Sequence, residues 1–235
     1  QRRRQIEVST PVVRTFPPGS EWLYLKLYTG SSTADGALRE AVAPAVREIL
    51  SRGYADGWFF IRYADPDWHV RVRFHGDPNV LLTQALPLFQ SHVLPLVGEG
   101  RLHKILLDTY ERETERYGGP HGIGVSEKLF QMDSDAALAV VETLEGDEGA
   151  DARWRLAFRG IDLLLQDLGL DVPTKVAVMG RMKENFAKEF GGGKNFEVQI
   201  DQKYRKEKGS LPRLLVPTPA ADDPLAPGYA ILAER

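Results

Sequence analysis

Hydrophobic and polar residues alternate along two short segments of the chain, a pattern that is typical of β-strands. Leucine occupies every second position between Glu21 and Tyr28. Between Asp65 and Gly76, four apolar residues alternate with four basic ones. The apolar face of this second strand would hold Trp68, Val70, Val72 and Phe74, and its other face His69, Arg71, Arg73 and His75. The pattern predicts two half-buried strands, the second with a continuous basic face.

Further elements extend this pattern into a known arrangement. Helical spacing of apolar residues predicts helices over Ser31 to Gly53 and Pro78 to Val97. Aromatic and aliphatic residues predict strands over Gly57 to Tyr63 and Arg101 to Tyr110. The order β-α-β-β-α-β is that of the split βαβ, or ferredoxin-like, fold. We therefore predict an α+β protein with an antiparallel sheet, both helices on one face and the last strand beside the first.

The chain beyond Gly118 is predicted to be mainly helical. Its helices would run over Val125 to Leu144, Ala152 to Leu168, Pro173 to Phe190 and Asn195 to Lys208. We interpret residues 1–18 as a lead-in segment outside the core, and residues 216–228, which contain four prolines, as a loop. A single domain is expected over residues 1–235, with a sheet half at 1–120, a helical half at 121–215 and a tail at 216–235.

Composition narrows the class of protein. With 43% hydrophobic and 27% charged residues, the chain resembles an ordinary globular protein. We find no apolar run close to the ~18 residues of a membrane span and no signal-peptide core, so we expect a cytoplasmic protein without a membrane span. The absence of cysteine excludes disulfides and thiolate chemistry. A net charge of -3 argues against broad attraction to nucleic acid.

The basic face leaves two interpretations open. It could be simply solvated, or its arginines could bind an acidic group, because the guanidinium fork suits carboxylate and phosphate. Aromatic residues on the first strand also raise RNA binding, but the segment Arg101 to Tyr110 lacks the pattern of an RNA-recognition strand. No metal site is predicted, since His69 and His75 are too far apart along one strand and His103 lies on another.

Several ordered motifs resemble a known family. They are Phe16 to Tyr28, Trp58 to Pro66, His69 to Phe74, Asp108 to Glu113, Arg116 to Gly119, Glu127 to Phe130, Asp133-Ser134 and Lys203 to Arg205. Together they resemble the C-terminal elimination domain of class I lantibiotic dehydratases, which also occurs in stand-alone thiopeptide-type bacteriocin biosynthesis proteins. The resemblance covers most of the chain.

This resemblance implies a lyase that acts on a ribosomal precursor peptide with a leader. A glutamyl-tRNA-dependent partner protein or domain would first esterify Ser or Thr with glutamate, and this domain would expel glutamate to leave dehydroalanine or dehydrobutyrine. No cofactor is implied. The family's elimination residues correspond here to Arg71, Arg73 and Arg112. We predict that these three are catalytic, and that the substrate-binding residues are His69, Lys26, Tyr24 and Tyr110.

One departure from the family keeps alternatives open. The family usually carries a histidine in a C-terminal H-M-x-x-N-R-like segment, whereas this sequence ends at Glu234-Arg235 without it. Either the chain is truncated or its chemistry is altered, and His69 is a candidate substitute. The second hypothesis is a thiopeptide pyridine synthase, which joins two dehydroalanines by a formal [4+2] aza-cycloaddition and releases the leader. The third is an inert subunit that binds the precursor or a glutamylating partner. A homodimer is also considered.

Overall fold

The computed structural model describes residues 12–144, 146–189, 192–215, 223 and 225–234, except for the side chains of residues 147, 148, 150 and 189. The strands are β1 (Thr15–Phe16), β2 (Trp22–Tyr28), β3 (Gly57–Tyr63), β4 (His69–His75), β5 (Lys104–Asp108) and β6 (Tyr110–Glu111). Between them lie α1 (Ala34–Ala37), a π-helical segment (Leu38–Val42), α2 (Ala43–Ser51), α3 (Pro78–Val80), a second π-helical segment (Leu81–Ala85) and α4 (Leu86–Gly98). The helix α5 (Gly119–Thr143) follows.

Four of these strands form one sheet in the order β3-β4-β2-β5, and all neighbours are antiparallel. The hairpin of β3 with β4 and the pairing of the last sheet strand with the first are confirmed. The structure also confirms the α+β class. The predicted strand Arg101 to Tyr110 is shorter in the structure, because the chain leaves the sheet after Asp108 and forms the separate strand β6.

One face of the sheet carries the main hydrophobic core. The alternating residues Leu23, Leu25, Leu27, Val70, Val72 and Phe74 are all buried there, together with side chains from α2, α4 and both π-helical segments. Trp68 does not join them: it precedes β4 and is 51% exposed, so its predicted place on the core face is wrong. Burial of such apolar side chains is the main favourable contribution to folding.

The second face carries a smaller aromatic core. Its members are Phe16, Trp22, Tyr24, Phe59 and Tyr110, with Phe130 of α5 packed against them. Phe16 lies on β1, which pairs with β6 in a two-stranded ribbon, so the interpretation of residues 12–18 as a lead-in outside the core is wrong. Residues 1–11 lie outside the described residues. The ribbon of β1 and β6 thus places Tyr110 over the face of the sheet that carries this aromatic core.

Helix α5 covers the open edge of the sheet at β3. The hydroxyl of Ser134 accepts a hydrogen bond of 3.0 Å from the backbone N–H of Phe60, and the indole of Trp58 donates to Asp135 at 2.8 Å. Such contacts satisfy donors that an edge strand would leave unpaired. The helix begins at Gly119, and both Gly118 and Gly119 have the positive φ that glycine adopts without strain.

The helical run Pro78–Gly98 is long and apolar enough to span a membrane by length and composition alone, although the sequence analysis found no such candidate. One face of this run is buried, whereas Leu82, Leu94 and Val97 on the rest of its surface are exposed. Residues at helical spacing, Leu81, Ala85, Phe89, Val93 and Leu96, pack in the core beneath the sheet.

Contacts divide the chain into a first unit that ends at Val141 and a second that begins at Glu142. The second contains α6 (Gly146–Asp167), α7 (Val172–Glu189), α8 (Lys194–Glu207), α9 (Leu211–Leu214) and α10 (Ala226–Glu234). Arg155 of α6 donates to Glu207 of α8 at 2.8 Å. Gly228 lies so close to Leu156 that a Cβ would clash with it, which shows tight packing of α10 on α6.

Part of the predicted tail is therefore helical. Residues 226–228 of the loop predicted over residues 216–228 belong to α10 in the structure. Tyr229 and Leu232 of this helix are buried. Residues 216–222 and 224 of that loop lie outside the described part of the chain. Proline at position 227 is compatible with the helix because it occupies the first turn.

Two leucines of α4 provide a matched test of the core. We expect Leu96→Ala to lower the free energy of unfolding by about 2–5 kcal/mol, because Leu96 is 4% exposed. Leu94→Ala should change it by less than about 0.5 kcal/mol, because Leu94 is 58% exposed. Urea denaturation followed by circular dichroism measures both. Equal losses in the two variants would contradict this assignment of the core.

Candidate functional site

The register of the sheet determines which side chains surround the basic residues of β4. Arg73 lies between Tyr24 of β2 and Phe59 of β3, and Arg71 lies between Lys26 and Ile61. Residues directly opposite each other in neighbouring strands point to the same face. The register therefore brings the predicted residues Tyr24, Lys26, His69, Arg71 and Arg73 onto one face of the sheet.

Arg73 is enclosed by aromatic rings. Its guanidinium carbon lies 4.2 Å from the ring centre of Tyr24, 4.6 Å from that of Tyr110 and 5.0 Å from that of Phe59. The residue is 6% exposed. A simply solvated basic face is thus excluded for this position, since the cation is held by ring faces instead of water.

The hydrogen-bonding groups of Arg73 are unsatisfied within the described residues. Its Nε and Nη1 are buried and have no partner there, and the same holds for Nε1 of Trp22. A buried donor without an acceptor costs about 1–3 kcal/mol. Burial lowers the pKa of Arg73, but arginine keeps its proton. Arg73 is therefore a charged residue with two N–H donor groups that are removed from water and have no acceptor within the described residues.

Arg71 contacts two aromatic residues, one through a ring face and the other through a hydrogen bond. Its guanidinium lies 3.5 Å from the ring centre of Tyr63, and its Nε donates to Nε2 of His69 at 3.0 Å. Within the described residues, no acceptor contacts Nη1 or Nη2 of Arg71. The end of its fork is therefore available, while its orientation is determined by the other two contacts.

Lys26 is paired with a carboxylate on the neighbouring strand. Its ammonium forms an ion pair with Asp108 at the end of β5. Burial opposes the charge of Lys26, but hydrogen bonding to Asp108 raises its pKa overall. The same contact lowers the pKa of Asp108. Both groups are therefore charged at neutral pH, and the pair contributes no net charge to the site.

Arg112 already has a carboxylate from its own chain. Its Nε and Nη2 donate to the two oxygens of Glu127 at 2.6 and 2.7 Å, and the hydroxyl of Tyr110 donates to the same carboxylate at 2.9 Å. Such a bidentate contact is among the strongest that arginine forms. Arg112 therefore supports the ring of Tyr110 beside Arg73, and the structure does not show its fork open to a ligand.

The two tyrosines at the site remain neutral phenols. Burial raises the pKa of Tyr24, and burial together with the charge of Glu127 raises the pKa of Tyr110. Neither can therefore act as a phenolate base near neutral pH. Their ring faces and hydroxyl groups are what they offer to a substrate.

A cavity of about 150 Å³ opens at the end of the strands beside His69, where it is also lined by Thr29, Ser31, Arg62 and Trp68. Neither Arg71 nor Arg73 lines it. The cavity is therefore separate from the side chains of Arg71 and Arg73. Within the described residues, no group of three His, Cys, Asp or Glu side chains could hold a metal ion.

Sequence analysis missed Glu127 as a site residue, although a signal was present. Ile123, Phe130, Ser134 and Leu138 lie on the side of α5 that packs on the sheet unit, and Glu127 falls at the same helical spacing. A carboxylate at a core-facing position needs a cationic partner. That spacing predicts a cationic partner for Glu127, whereas only the structure shows that Arg112 provides it.

Residues 22–233 match the family model described as lantibiotic biosynthesis dehydratase C-term. The chain belongs to this family. It is 34% identical over 117 residues to the subtilin biosynthesis protein SpaB of Bacillus subtilis and 31% identical over 121 residues to the nisin biosynthesis protein NisB of Lactococcus lactis subsp. lactis. Each match covers 50% of this chain. The chain spans only about a tenth of these relatives, 11% in each case.

Solved structures show the same relationship. The tRNA-dependent lantibiotic dehydratase MibB from Microbispora sp. 107891 is 31% identical, with a TM-score of 0.54 over 66% of this chain and 15% of MibB. The pyridine synthase TbtD from thiomuracin biosynthesis is 13% identical, with a TM-score of 0.58 over 92% of this chain and 81% of TbtD. The likeness to TbtD concerns the fold alone.

The contact of Glu127 with Arg112 can be tested by its effect on stability. Glu127→Gln keeps the size of the side chain but removes its charge, so we expect a loss of about 1–3 kcal/mol in the free energy of unfolding. Glu113→Gln is the control, because Glu113 contacts Arg116 at 2.9 Å in an exposed pair and should change stability by less than about 0.5 kcal/mol. Urea denaturation measures both. A neutral Glu127→Gln would show that the bidentate pair does not stabilise the fold.

His69 should make stability depend on pH. Burial lowers the pKa of His69, so the unfolded chain takes up this proton more readily than the folded one. This contribution to stability is present above the unfolded pKa of about 6.5 and is lost as the pH falls below it. We expect wild type to lose more stability than His69→Gln between pH 7.5 and pH 5 in urea denaturation. Parallel curves would contradict the lowered pKa.

Proposed function

We propose that this protein is a lyase that expels glutamate from glutamylated Ser or Thr residues of a ribosomal precursor peptide. The products would be dehydroalanine and dehydrobutyrine. The observation that carries the proposal is Arg73, a buried cation whose Nε and Nη1 have no acceptor within the described residues. Membership of the dehydratase C-terminal family supports the same reaction.

The reaction builds negative charge in two places. A base removes the α-proton of the esterified residue, and an enolate forms on the neighbouring peptide carbonyl. The electron pair then forms the Cα–Cβ double bond, the Cβ–O bond breaks, and glutamate leaves as a carboxylate. Both the enolate and the leaving carboxylate are stabilised by fixed N–H donors.

The environment of Arg73 suits this task. Its aromatic walls exclude water, and a charge acts more strongly on an anion in a site of low dielectric. The donors need no reorganisation when the negative charge develops, because Tyr24, Phe59 and Tyr110 already hold the guanidinium. We propose that Arg73 binds the developing anion together with Nη1 and Nη2 of Arg71, which His69 does not contact. Tyr24 and Tyr110 would contact the same substrate.

The ester substrate requires a partner. MibB is described as a tRNA-dependent dehydratase, and we propose by analogy that a glutamyl-tRNA-dependent protein or domain glutamylates the precursor before this chain acts. The leader of the precursor would bring the peptide to both activities. We place the reaction in the cytoplasm, where aminoacyl-tRNA is made.

Arg73→Ala tests the proposal directly. With a glutamylated precursor peptide, mass spectrometry should show loss of glutamate by wild type, and we expect a reduction of about 100-fold or more in rate for the variant. Arg73→Lys should also be strongly impaired, since lysine lacks the planar donor pair. Arg52→Ala, at the end of α2 on the opposite side of the sheet, should retain the wild-type rate. An active Arg73→Ala variant would disprove the assignment.

The alternatives have their own outcomes in this assay. The fold shared with TbtD motivates a parallel reaction with a dehydrated, azole-bearing peptide. Cycloaddition would release the leader and give a macrocycle, and we expect neither product. Binding of the glutamylated peptide without any change of mass would instead identify an inert peptide-binding subunit. Either result would overturn the proposed elimination.

A further inference from the structure

His69 is held by two aromatic rings and at both ring nitrogens, although it lies at the end of a strand and borders a cavity. It is 2% exposed, its ring stacks on Tyr28 at 4.8 Å, and Tyr63 contacts it edge-on at 5.7 Å. Its Nδ1 lies 2.7 Å from the backbone oxygen of Asp67. Both ring nitrogens are therefore engaged, because Nε2 lies 3.0 Å from Nε of Arg71.

These contacts determine the tautomer of the imidazole. A carbonyl oxygen only accepts, so Nδ1 must carry the proton that reaches Asp67. Arginine only donates, so Nε2 must present its lone pair to Arg71. A neutral ring with the proton on Nδ1 satisfies both contacts, and a protonated ring would place two N–H groups against each other.

The same contacts determine the orientation of Arg71. Its planar guanidinium is fixed by the ring of Tyr63 on one face and by His69 at Nε. What remains is the outer edge of the fork, where Nη1 and Nη2 contact no acceptor within the described residues. The neighbouring positions across the sheet, Lys26 and Ile61, do not accept hydrogen bonds from it.

We propose that His69 is a positioning residue: as a neutral Nδ1–H imidazole it holds Arg71 through Nε, so that the outer edge of the Arg71 fork faces the anion of the substrate. The functional part of this inference rests on the proposed elimination. His69 is therefore not the base that removes the α-proton, because its one lone pair is already used by Arg71.

Protonation of His69 at low pH should break its hydrogen bond with Arg71. The charged groups that act on the imidazole are Arg71 and Lys26, which oppose its protonation, and Asp65, which favours it. Tyr28 and Tyr63 face it with their rings. When Nε2 takes up a proton, its hydrogen bond with Arg71 is lost and two cations lie side by side. The rate should fall as His69 becomes protonated.

A matched pair of variants separates the two nitrogens. The side-chain amide of glutamine reaches the place of Nε2 and can accept from Arg71, whereas that of asparagine reaches only the place of Nδ1. We expect His69→Gln to keep kcat/KM within about 3-fold of wild type and to lose the acid limb of the pH profile. His69→Asn should lose about 10-fold or more, because Arg71 is no longer oriented. Loss of activity in both variants with retained fold would overturn the proposal, because it would show that His69 is needed for more than its contact with Arg71.

A second measurement does not depend on catalytic activity. In protein labelled with ¹⁵N-histidine, long-range proton–nitrogen spectra at pH 7.5 should show His69 with a proton on Nδ1 and a bare, hydrogen-bonded Nε2. Arg71→Ala should shift the Nε2 signal toward that of an unbonded imidazole nitrogen. A proton on Nε2 in wild type would disprove the positioning of Arg71 by His69. If wild type fails to eliminate glutamate but shows this tautomer, the proposed function fails and the contact of His69 with Arg71 stands.

Discussion

The antiparallel pairing of β2 with β4 is the constraint on which the site depends. It places Tyr24 opposite Arg73, Lys26 opposite Arg71 and Tyr28 opposite His69. A shift of β2 by one residue would turn Tyr24, Lys26 and Tyr28 away from the basic residues of β4 and would bring the leucines of β2 out of the core. The hydrophobic core under the sheet therefore maintains the arrangement of the charged groups above it.

Three arginines with the same chemistry have three different environments. Arg112 is neutralised by Glu127, Arg71 is oriented by His69, and Arg73 is enclosed by rings without an acceptor. The differences arise from what packs against each residue. Of these three, only Arg73 combines deep burial with N–H groups that lack an acceptor within the described residues, which is why the proposed function rests on it.

Local sequence patterns predicted much of this arrangement. They failed where contacts between residues far apart in the chain determine the environment of a side chain. Alternation in β2 and β4 predicted which residues share a face, with Trp68 as the exception beyond the strand. The burial of Arg73 could not be predicted, because its cover comes from Tyr110 on a strand that pairs with β1. The role of Glu127 depends likewise on how α5 packs. The family resemblance identified the arginines, but it did not distinguish their environments.

The two faces of the sheet have separate tasks. Aliphatic residues on one face pack against the helices, while the aromatic and charged residues on the other surround Arg73. Substitutions that share no contacts usually act independently of one another. Chemistry can thus evolve on one side of the sheet without weakening the other.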